Sequence, residues 1–225
     1  MNHAIKMISV TCLAGGLLTG CSNQSLREVF LGRQNDLAAL NTATLGRTSR
    51  DEIMGRFGAP QEIDQRWFEG RDSDVFFYVD EVQDEDSGLL NARILACEFT
   101  KGALTGYLFQ ELGTGVGGGY DEKARGKLVK GATTRSQVES ALGQPQGRSL
   151  MPTSLNLAAA EGRIGGAPTA VDTVPAGAKE VWFYVVQGYD DSLDKPKQRS
   201  LLVFFDDKGL YLGSSAFRQL VVKSS

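Results

Sequence analysis

Histidine is all but missing from this chain: among 225 residues there is one, His3. Cysteine occurs three times, at Cys12, Cys21 and Cys97. No apolar run approaches the roughly 20 residues needed to cross a bilayer as a helix. Positive charge is not in excess either, with 24 Lys+Arg against 27 Asp+Glu and a net charge of −3. Each shortage removes a class of function. Nucleic-acid binding needs a basic stripe and finds none. Ser-His-Asp and Cys-His catalysis need an imidazole, and zinc sites need several Cys or His ligands. No catalytic residue, metal ligand, cofactor or nucleotide is therefore expected.

The N-terminus carries the clearest signal. Lys6 precedes an uncharged apolar stretch from Met7 to Leu18, followed by Leu18-Thr19-Gly20-Cys21. A cation, a short apolar run and small residues are the pattern of a secretory signal peptide, here residues 1–20. Leu18, Thr19, Gly20 and Cys21 resemble the bacterial lipobox, which implies cleavage before Cys21 and fatty acylation (palmitate among the chains) of its thiol. More than one acyl chain gives lasting attachment, each buried methylene contributing about 0.8 kcal/mol. Ser22, rather than Asp, after the cysteine leans toward the outer membrane, facing the periplasm. Processing removes His3, Lys6 and Cys12, takes the net charge from −3 to −4, and leaves 205 of the 225 residues. Cys97 is then the one thiol left, so no intramolecular disulfide can form.

The mature chain repeats itself. Gly46 to Pro60 and Gly131 to Pro145 both fit G-x-T-[ST]-R-x-[EQ]-[IV]-x-x-x-[FL]-G-x-P, 85 positions apart. Val75-Phe-Phe-Tyr-Val79 matches Val181-Trp-Phe-Tyr-Val185, and Ile94 to Gly102 matches Leu201 to Gly209, which sets Cys97 against Phe204. In the first block Ser49 with Glu52, and Thr134 with Gln137, form capping boxes. Ile53 with Phe57, and Val138 with Leu142, share a helix face. Gly58 and Gly143 suit a left-handed helix end, and Pro60 and Pro145 prevent resumption. Gly46 and Gly131 open the motif. The aromatic runs are strand formers, and Thr100 to Gly102 and Asp206 to Gly209 read as hairpin turns. Asp36 to Leu40 and Asp121 to Lys127 are weaker candidates for a preceding helix. The expected fold class is α+β: two tandem two-layer units, each of two short helices on a three-stranded antiparallel sheet. The expected organisation is a lipidated tether over 21–35, a first unit over 36–112, a Gly-rich linker over 113–119 and a second unit over 120–225. The second unit includes a loop insertion over 155–178.

These residues resemble the BamE family, also called SmpA/OmlA. The second unit fits better, through Gly131, Gln137, Val138, Gly143, Pro145, Trp182, Phe183, Tyr184 and Asp206 to Gly209; in the first, Phe76 replaces the Trp. The resemblance implies an exported lipoprotein with helices on a three-stranded sheet. Its single-unit member is an accessory subunit of the outer-membrane β-barrel assembly machinery. A tandem pair of such units is also the architecture of β-lactamase inhibitory proteins. Two functions follow as expectations. One is a non-catalytic scaffold or accessory factor in envelope assembly, with the β-barrel assembly machinery as a partner. The other is a membrane-anchored inhibitor or sequestering protein for a periplasmic enzyme.

Other features are decoys. Gly113-x-Gly115-x-x-Gly118 matches a dinucleotide fingerprint without a surrounding βαβ unit. The acidic runs Asp80 to Asp86 and Asp190 to Asp194 lack EF-hand spacing. Cys97 in an apolar strand reads as core. In a strand, Trp182 and Tyr184 point to one face and Phe183 and Val185 to the other, with Phe76 and Tyr78 repeating the pattern. Helices cover one face only, so an aromatic set is expected to remain outside. Phe76, Tyr78, Trp182 and Tyr184 are the candidate protein-binding anchors.

Overall fold

A computed structural model describes residues 40, 43–83, 90–112, 120–155, 174–190 and 195–220. Helix α1 (Arg50–Phe57) leads into β1 (Glu62–Phe68), β2 (Arg71–Gln83), β3 (Leu90–Thr100) and β4 (Ala103–Leu112). The one-turn α2 (Glu122–Arg125) and α3 (Arg135–Leu142) lead into β5 (Gly147–Leu150), β6 (Glu180–Asp190), β7 (Lys195–Phe205) and β8 (Tyr211–Leu220). All eight strands form one antiparallel sheet in sequence order.

The α1 and α3 helices start and stop for the reasons written into their ends. Ser49 accepts from the Glu52 amide while the Glu52 carboxylate accepts from the Ser49 amide, and Thr134 with Gln137 does the same. The Ser49 N–H, and then its hydroxyl, hold the Glu52 carboxyl below its ordinary range. Gly58 and Gly143 close the helices at φ +80° and +86°, but ψ is near 180°. That is not the left-handed cap expected from sequence; it is a region open essentially to glycine alone. Gly46 and Gly131 also have positive φ. Of the weaker helix candidates, Asp121 caps α2, and only Leu40 of the other is described, where it is helical and buried.

The expected fold class is corrected. Among the described residues there are not two units of helices on three-stranded sheets but one continuous eight-stranded sheet with few, short helices. Two strands account for the difference. Residues 62–68 are mostly polar, with Ile63, Trp67 and Phe68 as their apolar members, and pair with β2 through a two-residue turn. Glu69 and Gly70 both take positive φ there, as hairpins of this twist require. Residues 147–150 are too short and too polar to signal a strand by pattern, yet they join the two halves. Gly106 pairs with Ser149, Tyr107 with Arg148 and Leu108 with Gly147 on one side, and Gly147 with Phe183 on the other.

The repetition persists inside this single sheet. Ile63 opposes Phe76 as Arg148 opposes Trp182; Cys97 opposes Phe76 as Val203 opposes Trp182. Cys97 therefore corresponds to Val203, one place from the Phe204 that motif matching suggests. The extra residue lies in the Asp206 to Gly209 turn, where the Asp206 carboxylate accepts from the amides of Lys208 and Leu210. A bulge falls at the same place in each half, at Glu98/Phe99 and Phe204/Phe205.

One sheet face carries the helices. Ile53 and Phe57 pack on Phe76, Tyr78, Leu95 and Phe99; Val138 and Leu142 pack on Trp182, Tyr184, Leu201 and Phe205. The opposite face holds a core that draws on both halves, with Val75, Ala96 and Leu108 clustered with Val181, Phe183, Leu202 and Phe204. Leu155 and Met151 pack onto that core from the segment after β5.

Candidate protein-binding edge

On the helix face an arginine at the first position of α1 and of α3 ties helix to sheet. Arg50 pairs with Asp74 and lies over Phe76 and Phe99. Arg135 pairs with Glu180 at 2.7 Å and lies over Phe205. Glu180 also accepts from the Trp182 indole at 2.6 Å, and Arg148 sits 4.6 Å above the Trp182 ring. The ring pairs Phe76–Phe99 and Trp182–Phe205 repeat with centroids 4.8 and 4.7 Å apart.

These contacts relocate the expected anchors. Phe76 and Tyr78 are each 4% exposed and Trp182 and Tyr184 each 1%. The parity was read correctly, but the aromatic row belongs to the helix side, so all four are core residues. Burial raises the tyrosine hydroxyls, to about 12 for Tyr78 and Tyr107 and further for Tyr184. The Cys97 thiol is wholly buried and pushed far up by desolvation, consistent with a packing role. Pro60 and Pro145 follow the helix ends as expected. Leu18, Thr19, Gly20 and Cys21 lie outside the described residues, as do the tether, the 113–119 linker and its dinucleotide-like glycines. So do most of the 155–178 insertion and much of both acidic runs.

The opposite face is closed by a polar strap. Residues 151–155 leave β5 and cross toward β1. The Glu98 carboxylate, 3% exposed, accepts from the Ser154 amide (2.8 Å), the Ser154 hydroxyl (2.7 Å), the Thr153 hydroxyl (2.7 Å) and the Ser149 hydroxyl (3.4 Å). Arg66 donates to the Ser154 carbonyl at 2.7 Å and Arg71 donates to the Pro152 carbonyl.

With helices on one face and the strap on the other, the conspicuous apolar exposure lies on β1. Ile63 is 54% and Trp67 72% exposed. They share the helix face with Gln65, while Glu62, Asp64, Arg66 and Phe68 occupy the other row. Neither belongs to a core cluster, because α1 packs over β2, β3 and β4 and leaves β1 outside its footprint. Among the described residues β1 pairs with β2 alone, so its outer edge is free. Sequence reasoning passed over this strand. The signal available was the spacing of Ile63, Gln65 and Trp67 in a polar run, a period of two diluted by charge.

No protein-family model matches the chain, and no curated protein matches it. Among solved structures, the chain is similar to a Streptococcus mutans protein provisionally named a beta-lactamase inhibitor protein. The two are 13% identical, the match covers 83% of this chain and 96% of that one, and the TM-score is 0.45. A likeness that distant carries no functional argument. Among the described residues no helix is long and apolar enough to cross a membrane.

Proposed function

We propose that this chain is a lipid-anchored, non-catalytic protein of the bacterial envelope that holds another protein along β1. The observation that carries the reading is that Ile63 and Trp67, on one row of β1 with Gln65 between them, are both exposed on a strand whose outer edge is unpaired among the described residues. Tryptophan is among the residues that most often dominate interface energetics, and a free edge offers a row of backbone donors and acceptors. The anchor is the sequence's contribution: acylated Cys21 would tether this edge to the outer membrane from the periplasmic side. Such a binder acts either as a scaffold in envelope assembly, the β-barrel assembly machinery included, or as a stoichiometric inhibitor of a periplasmic enzyme.

A photo-crosslinking residue placed at position 67 in intact cells tests the reading. The expected product is an adduct with one envelope protein, absent when the residue is placed at exposed Val129 instead. Adducts equally frequent from both positions would end the proposal. The identity of the adduct separates the two forms: an enzyme whose activity falls in one-to-one titration marks an inhibitor, and a barrel-assembly subunit marks a scaffold. Cys21→Ala should release the protein from washed membranes; retention in that variant would remove the lipid from the picture.

A further inference from the structure

The internal repetition shows what kind of structure fits the free edge. Strands β1 and β5 are counterparts: each follows a capped helix, and the register of β1 on β2 repeats that of β5 on β6, with Ile63 where Arg148 stands. The outer edge of β5 is occupied. Strand β4 runs antiparallel along it and sets Tyr107 opposite Arg148 and Leu108 opposite Gly147. Tyr107 and Leu108 are buried there, 3% and 1% exposed. The same edge of β1 has no strand beside it among the described residues.

The geometry points to β1 as a strand-addition site: an extended segment of a partner protein pairs antiparallel with it, as β4 pairs with β5. This deepens the binding role proposed above and rests on it. Both side-chain rows constrain the segment. On the helix face it meets Ile63 and Trp67, so alternate residues are aromatic or branched aliphatic, in the manner of Tyr107. On the other face it meets Glu62 and Asp64. The two cations of this hairpin are engaged on that face, Arg66 with Asp64 and the Ser154 carbonyl and Arg71 with the Pro152 carbonyl, which leaves exposed Glu62 as the carboxylate of the row without an ion pair among the described residues. Exposed Glu69 and Asp72 add negative charge at the turn. The intervening residues of the segment are therefore lysine or arginine.

A second copy of this chain fits less well. Its other strand with one neighbour among the described residues is β8, the counterpart of β4, since Ser214 opposes Val203 as Tyr107 opposes Cys97. Where β4 carries Tyr107 and Leu108, β8 carries Ser214 and Ser215. The Ser214 hydroxyl would stand opposite Ile63, where Tyr107 stands opposite Arg148, and leave Ile63 without an apolar partner.

The emission of Trp67 reads the test, because the other tryptophan, Trp182, is buried. The probe is the peptide Lys-Val-Lys-Tyr-Lys-Val-Lys, titrated into the acylated or Cys21→Ala full-length protein. A saturable blue shift is expected, with affinity weakened roughly tenfold or more in Ile63→Ser, which keeps the Trp67 reporter, and when alternate peptide amides are N-methylated. Replacing the peptide lysines by glutamates should abolish binding. No shift, or equal affinity for the N-methylated peptide, would overturn strand addition. A concentration-dependent shift without peptide, with a dimer by light scattering, would overturn it in favour of self-pairing. If residue 67 crosslinks to an envelope protein while the N-methylated peptide binds undiminished, the binding role stands and strand addition falls.

Discussion

Glu98 is a carboxylate in an apolar layer, and its counterpart in the second half, Phe204, is what such a layer would ordinarily hold. Burying a charge without partners is costly. Here Thr153 and Ser154 on the strap and Ser149 on β5 supply the donors, so the charge fixes the strap to the sheet. Glu98→Ala leaves several buried donors unanswered and should cost about 2 kcal/mol or more in urea unfolding, since hydrogen bonds to charged groups are the stronger class. An unchanged midpoint would mean that the strap is held by the packing of Leu155 and Met151 and by Arg66 and Arg71 without Glu98. The two tyrosines of the repeat offer a paired comparison. Tyr184 donates to the Gly143 carbonyl at 3.1 Å, whereas the buried Tyr78 hydroxyl has no partner among the described residues. Tyr184→Phe should lower stability by about 1 kcal/mol, while Tyr78→Phe should leave it unchanged or raise it. Equal losses in both would show that the Tyr78 hydroxyl is satisfied in solution. Much of this scale was legible: motif spacing located the caps and turns, and the two-residue period assigned Phe76 and Trp182 to one row. Which row faces the helices was not legible, because both faces are apolar along β2 and β6 and alternation alone carries no direction.

Elements were legible in proportion to how much of their structure is local. The α1 and α3 helices are set by capping boxes that satisfy backbone amides within four residues, so Ser49 to Gly58 could be read directly. Strands β1 and β5 were not read, because their place depends on partners far along the chain. Gly147 to Leu150 is a strand only because β4 and β6 lie on either side. The sharpest test at this scale is the helix end. Gly143 has φ +86° and ψ −175° with open space around the position a Cβ would take. A loss on substitution there reports backbone strain rather than collision. Gly143→Val should destabilise the protein by about 1–3 kcal/mol, and Gly58→Val, at φ +80°, should do so to a similar degree. Unchanged melting of Gly143→Val would mean that α3 ends elsewhere in solution.

At the scale of the whole molecule, the sequence repeat suggested two bodies and the chain forms one sheet. The reason is the seam. Gly106 and Gly147 lie at the crossing of β4 and β5, where a Cβ on the first would overlap Ser149 and a Cβ on the second would overlap the Tyr107 carbonyl. Two glycines let the strands approach closely enough to pair, and behind them the core draws Val75, Ala96 and Leu108 together with Phe183 and Leu202. Neither half can expose its share of that layer without exposing the other's, so both should unfold together. Cys97 reports the first half through its buried thiol, and Trp182 reports the second through its fluorescence. In the native protein, thiol reactivity and Trp182 emission should change over one urea range, the coincidence expected of a single cooperative unit. Gly147→Val sets a branched side chain against the Tyr107 carbonyl and should part β5 from β4. The two probes should then separate, with one half unfolding at a lower urea concentration. Coincident curves in that variant would place the coupling of the halves in the shared core rather than in the strand seam.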